Sequence, residues 1–338
     1  MSRREAMLWE PAGDGRAACR LCAHRCIVAP GGRGVCAVRE NRDGRLETLV
    51  YGEAVAAHVD PIEKKPLYHF LPGSKALSVA AAGCNFRCGF CQNWQISQAP
   101  RREGGAIAGE PFPPEAVVRA ALDAGCRSVS YTYTEPTVFF EYAYDTARLA
   151  RAAGLLNNFV TNGYLTPEAL ETAAPVLDAA NVDLKAFRDE TYRKICGARL
   201  GPVLETVRLM RKLGVWVEVT TLVVPGLNDG ADELASIAAF IASVDPDIPW
   251  HISRYHPDFE YDQAPPTPAA TLRAAAAIGR REGLRHVYVG NVPGEGEDTL
   301  CASCGALLIR RRGFAVVANT LRGSLCPSCG TALAGRFD

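Results

Sequence analysis

Eleven of the thirteen cysteines fall in three tight groups, and these constrain this chain more than any other feature. Cys19, Cys22, Cys26 and Cys36 form the first group, Cys84, Cys88 and Cys91 the second, and Cys301, Cys304, Cys326 and Cys329 the third, with Cys126 and Cys196 standing alone. Whether such thiols cross-link or bind metal depends on the compartment. The stretch from Met1 to Glu10 lacks the apolar core of a secretory signal, and no window approaches the ~18 apolar residues of a membrane span, so the expected location is cytoplasmic, with no membrane partner. Reduced, clustered thiols then read as metal ligands. Hydrophobic residues make up 48% of 338 and charged ones 22%, enough for a true core. The 37 basic and 37 acidic residues cancel, which argues against extended nucleic-acid binding.

Between the second and third groups, β-rich runs alternate with helical stretches. Strands are expected at 76–81, 127–133, 155–161, 181–185, 215–224, 250–255 and 286–290. Helices are expected at 114–125, 137–154, 166–174, 201–214, 232–243 and 267–283, several ending in glycine. A spacing of roughly thirty residues is that of βα units, so the fold class is α/β: a parallel sheet curved into a partial or full barrel, with its active face at the C-terminal strand ends. The expected organisation is an N-terminal cysteine-rich metal-binding segment (1–50), an α/β barrel (51–296) and a C-terminal zinc-ribbon-like or rubredoxin-like domain (297–338). Lys64, Lys65, Tyr68 and His69 stand before the first of these strands, close enough to the middle cysteines to shield or tune a metal centre there, but read equally as an ordinary amphipathic approach loop, and Arg310 to Arg312 read as a solvated basic face.

The middle group has the form CxxxCxxC, with Phe90 just before the last cysteine, directly after the first strand of the series. Three thiolates leave one iron of a four-iron cluster open to a small ligand. Zinc at this loop lacks an obvious fourth ligand. Cys301xxCys304 and Cys326xxCys329 are two knuckles around a β-like stretch; four thiolates there suit zinc, with mononuclear iron the alternative. Cys19, Cys22, Cys26 and Cys36 also supply four thiolates, with zinc the leading expectation and an auxiliary iron–sulfur cluster its rival.

The run Cys84-Asn-Phe-Arg-Cys88-Gly-Phe-Cys91 resembles the signature loop of radical S-adenosylmethionine (radical SAM) enzymes, and GCNFRCGFCQNW resembles that of glycyl-radical-enzyme activases such as pyruvate formate-lyase activating enzyme. The stretches CRLCAHRC, YGEAVAAHVDPIEKKPLYHFLPGS, YTYTEPT, VTNGYLT, NVDLKAF, VVPGLND, HISRYHP and GNVPGEG follow in the order of the AmmeMemoRadiSam-system radical SAM proteins, over nearly the whole chain. The resemblance implies a [4Fe–4S] cluster on Cys84, Cys88 and Cys91, reductive cleavage of SAM to a 5′-deoxyadenosyl radical, and hydrogen abstraction from a substrate, with a protein or peptide residue favoured over a small molecule or RNA base. A non-catalytic metal scaffold is the alternative from a different class.

It further implies an electron donor such as flavodoxin or ferredoxin, and Memo-like and Ammecr-like partners. Glu135 stands where the family's GGE-type carboxylate meets the methionyl ammonium, although Thr132 and Thr134 replace the flanking glycines. Thr161, Asn162, Asp183 and Lys185, with Phe90, match SAM-holding positions, whereas Val160 replaces the activase aspartate, which argues against a bound monovalent cation. Thr220 and Thr221 are weaker candidates. His251, Arg254 and His256 lie where an activase would meet substrate, and Cys196 is a reactive-thiol candidate.

Overall fold

The computed structural model describes residues 4–102, 104–292 and 294–338; Pro293 of the GNVPGEG stretch lies outside them. Its centre is one eight-stranded sheet. The strands are β1 (Ala56–Pro61), β2 (Lys75–Ala80), β3 (Ser128–Tyr131), β4 (Leu156–Thr161), β5 (Ala179–Asp183), β6 (Trp216–Val223), β7 (Trp250–Arg254) and β8 (Val287–Gly290), ordered in space as in sequence. β2 to β8 are parallel, in the register Ala76↔Ser128↔Leu156 and Asp183↔Thr220↔His251↔Tyr288. Sheet order ends at β1 and β8, which do not pair with each other, so the barrel is open.

Helices α1 (Pro114–Asp123), α2 (Phe140–Ala152), α3 (Pro167–Ala173), α4 (Leu200–Lys212), α5 (Ala231–Val244) and α6 (Ala269–Arg281) cross over between successive strands. Each carries its apolar stripe inward: Val203, Val207 and Met210 of α4 and Leu234, Ile237 and Ile241 of α5 are buried. Gly279 lets α6 lie close to the sheet, since a Cβ there would stand 2.9 Å from the Trp250 ring. No helix among the described residues is long and apolar enough to cross a membrane.

The expected strands and helices are all present to within a few residues. β1 was not expected. It runs antiparallel to β2, Ala56 opposite Ala80 and Pro61 opposite Lys75, and the turn after it carries residues 62–71 under the barrel. The expected strand 181–185 ends at Asp183, because the Lys185 N–H turns away to the Tyr192 hydroxyl (3.0 Å).

The flanking segments pack against the barrel at two places. The N-terminal segment forms two small antiparallel sheets. It docks on the turn after β4 through a Cys22–Leu165 bridge, and its buried Arg39 guanidinium pairs with Glu141 of α2. Strands β9 (Thr299–Leu300), β10 (Leu307–Arg312) and β11 (Ala315–Asn319) form the C-terminal ribbon. Along β10 exposure alternates, so Arg310 and Arg312 face solvent while Arg311 is buried against Glu63 (3.4 Å) and over the Tyr68 ring (4.2 Å). The triplet is therefore a solvated face at its outer members only; strand periodicity turns the middle one into the core.

A directional hydrogen-bond chain runs through this lower junction. His69 Nδ1 lies 2.7 Å from the Ala334 carbonyl, which can only accept, so Nδ1 carries the proton and Nε2 accepts from the Tyr288 hydroxyl (2.6 Å). Tyr288 in turn accepts from Thr299 (2.8 Å), which accepts from Arg311 (2.8 Å). Burial, reinforced by nearby His286, pushes the His69 imidazole down to about 3 and keeps it neutral.

Candidate functional site

At the upper end of the sheet, a cavity of about 410 Å³ opens over the C-terminal ends of β2 to β7. Cys84, Cys88 and Cys91 line it from the loop after β2, with Phe90 beside them. None is in a disulfide. Donors surround the sulfurs: the Phe86 N–H (3.3 Å) and Asn162 Nδ2 (3.7 Å) at Cys84, and Ser97 Oγ (3.3 Å) at Cys91. Amide donors at sulfur favour thiolates, whereas burial pushes the thiols of Cys84 and Cys91 upward, a cost that a bound cation would remove. These are the only cysteines among the described residues lining the cavity, so the donor set fits a cluster with three protein ligands and one exchangeable position.

The opposite wall is polar. Glu135 caps the short 3-10 turn Pro136–Phe139, and its Oε1 accepts from the Thr137 N–H (3.0 Å) and the Thr161 hydroxyl (2.7 Å), while Oε2 accepts from the Asn162 N–H (2.7 Å). The carboxylate thus ties the ends of β3 and β4 together and keeps lone pairs on Oε2 for a ligand. Burial pushes its pKa up and the donors oppose this. Asn162 Nδ2 also donates to Asn85 Oδ1 (2.7 Å), linking this wall to the cysteine loop. Gly163 closes the turn at φ +70°, and a Cβ there would lie 2.8 Å from Val182. Val160 lines the cavity as an apolar side chain.

Asp183 and Lys185 pair at 2.9 Å in the next wall. Burial alone would lower the Lys185 ammonium, but Asp183 and the thiols of Cys88 and Cys196 hold it well above its ordinary value. Thr220 lines the cavity with a buried hydroxyl that has no hydrogen-bond partner among the described residues. Cys196 stands behind the cysteine loop with its sulfur against that of Cys88, and the carbonyls of Ile195 and Cys196 accept from the Gly89 and Arg87 amides (3.2 and 2.8 Å).

The three remaining candidates lie elsewhere. His251 is buried in the first half of β7, where Nε2 donates to Glu218 (2.7 Å) and the ring stacks on Tyr288. Arg254 Nε donates to the Thr267 carbonyl (2.9 Å) and lies outside the cavity lining. His256 is exposed and reaches only Gln92, at the rim (3.2 Å).

What the sequence reading missed is a charged edge supplied by β1. Asp60 pairs with Lys64 (2.9 Å) and Lys65 (2.7 Å) and accepts from the Tyr133 hydroxyl; Lys64, Lys65 and Tyr133 line the cavity. Burial lowers the Lys65 ammonium to about 8 against the opposing pull of Asp60. Tyr133 is held at φ +63°, a strained conformation for a non-glycine residue. The signal in the sequence was Asp60 preceding Lys64 and Lys65 by four and five residues.

The radical SAM superfamily model matches residues 79–241, the span from β2 through most of α5. The "Uncharacterized protein MJ0808" of Methanocaldococcus jannaschii is 47% identical over 97% of this chain and 98% of its own length. Pyruvate formate-lyase 1-activating enzyme of Escherichia coli strain K12 is 25% identical over 47% of this chain and 65% of its own. Two solved structures share the fold. One is a radical SAM methyltransferase from Sphaerobacter thermophilus (TM-score 0.53, 16% identity, 70% of this chain and 71% of that one). The other is Streptococcus suis SuiB bound to S-adenosylmethionine (TM-score 0.52, 15% identity, 71% and 56%). A three-cysteine loop after the second strand of an open parallel barrel, matched by the family model over that span, places this chain among the enzymes of the radical SAM superfamily.

Proposed function

We propose that this enzyme abstracts a hydrogen atom from a protein or peptide residue bound above the cavity. The observation that carries the proposal is the shared lining of one cavity by Cys84, Cys88 and Cys91 on one side and Glu135, Asp183, Lys185 and Thr220 on the other. Superfamily membership implies a [4Fe–4S] cluster and SAM, which when bound supply a carbon radical by one-electron cleavage. The three cysteines would hold the cluster. Glu135 Oε2 would take the SAM ammonium, Lys185 is placed for the carboxylate, and the Thr220 hydroxyl is free to accept or donate along the bound ligand. The Lys185 ammonium lies 6.0 Å from the Phe90 ring centre, and both residues line the cavity.

Distant likeness to pyruvate formate-lyase 1-activating enzyme supports a polypeptide substrate. The order of motifs through GNVPGEG supports the AmmeMemoRadiSam-system assignment, with Memo-like and Ammecr-like partners and a flavodoxin or ferredoxin as electron donor. In the ribbon, Cys301–Cys329 and Cys304–Cys326 sulfurs stand 3.6 and 3.7 Å apart and all four lie within 4.8 Å, a set we assign to zinc. The test is anaerobic reconstitution followed by SAM and a strong reductant. The wild type should release 5′-deoxyadenosine and Cys88→Ala none, with ribbon metal retained in both. Equal release from the two would overturn the assignment.

A further inference from the structure

We infer that Cys19, Cys22, Cys26 and Cys36 hold a second iron–sulfur cluster instead of zinc. The four thiols line one small cavity of about 20 Å³ whose remaining wall includes Leu21, Val28, Arg39 and Val138, and none is in a disulfide. A single site at this position therefore has four thiolates to offer.

The spacing of the sulfurs decides between the two occupants. Zinc takes each thiolate at about 2.3 Å, so four tetrahedral thiolates stand about 3.8 Å from one another. The ribbon quartet meets that requirement. Among the described residues it is also the one group in which three or more such ligand atoms lie within 4.8 Å of one another. The N-terminal sulfurs are thus spread too widely for one ion. Cys84, Cys88 and Cys91 are spread in the same way. A cluster accounts for wide spacing because each thiolate caps a different iron.

The surroundings suit sulfur ligands of a cluster. Arg39, 1% exposed, directs Nη1 at Cys19 Sγ (3.4 Å), and its Nε has no partner; the Val35 N–H donates to Cys26 Sγ (3.5 Å). Hydrogen bonds to sulfur set the potential of such centres. The two cysteine sites are also neighbours. Thr137 and Val138, two and three residues after Glu135, belong to the N-terminal cavity wall. Arg101 binds the Val35 carbonyl (2.9 and 2.7 Å) while also donating to the carbonyls of Phe86 (3.0 Å) and Cys84.

The test uses the full chain, reconstituted anaerobically with iron and sulfide, in two variants. Cys84→Ala/Cys88→Ala/Cys91→Ala should keep iron and acid-labile sulfide in equal amounts, about four of each per chain, with a paramagnetic signal on reduction and one zinc or fewer. Cys22→Ala/Cys36→Ala should lose that same fraction and keep the central cluster. A second zinc per chain with no sulfide in the first variant would overturn the inference. If the double variant does not fold, the triple variant alone decides. Because the triple variant lacks the central cysteines, its result stands whether or not the proposed SAM chemistry holds.

Discussion

A single carboxylate does much of the joining at the top of the barrel. Glu135 gathers the Thr137 and Asn162 amides and the Thr161 hydroxyl, so its replacement is felt at both β3 and β4. Glu135→Gln keeps the shape but aims an NH₂ at donors. It should weaken SAM binding about tenfold or more and cost about 1–3 kcal/mol, read by equilibrium dialysis and urea denaturation. His251 behaves differently. It stands level with Thr220 in the sheet register, but its ring is taken up by Glu218, 33 positions away in sequence, and by Tyr288, and it does not line the cavity. His251→Ala leaves Glu218 buried with fewer partners, so a loss of about 2–4 kcal/mol is expected with reductive SAM cleavage close to wild type. A loss of cleavage at unchanged stability would return His251 to the site.

Among elements, the segment 62–71 shows how a connection becomes a structural part. It follows β1, carries Glu63, Tyr68 and His69 beneath the sheet, and meets β10 through the Glu63–Arg311 pair, both side chains fully buried. Arg311→Met strands Glu63 and should cost about 3–5 kcal/mol in denaturation, while adding Glu63→Leu should recover part of that loss. His69 gives the same junction a pH dependence. Its folded pKa of about 3 lies below the ordinary value near 6.5, so between the two only the unfolded chain binds the proton. Stability complete above about pH 6.5 is then lost as pH falls, by roughly 2 kcal/mol between pH 7 and 5. Burial lowers His286 in the same sense. Urea midpoints at the two pH values check this, and the difference should shrink in His69→Gln. Secondary structure was legible here because the β2–β8 strands are short β-rich runs, mostly buried, that alternate with helices; β1, reading AAHVDP with mostly exposed residues, carries no such signal.

At the scale of the molecule, the ribbon and the N-terminal segment are small sheets tied by cysteines and docked on the barrel. The ribbon core, Cys301, Leu308, Ile309, Cys326 and Leu333, is too small to order alone, so the zinc proposed for its four thiols would contribute folding energy. A zinc chelator should release about one zinc per chain and lower the melting temperature, with iron content unchanged. Metal analysis beside calorimetry reads both.

The sequence by itself determined the α/β alternation and the three cysteine groups, which depend on local periodicity and on short spacings that a chain carries along its own length. Glu135, Asp183 and Lys185 of the cavity wall came from the resemblance of their motifs to those of a known family. Only the tertiary structure decided that His251 faces Glu218, that Arg311 alone of its triplet is buried, that Asp60 arms the cavity rim, and that one cysteine quartet is compact while another is spread. Each of these is set by partners far apart in sequence, whose meeting depends on the packing of the whole sheet.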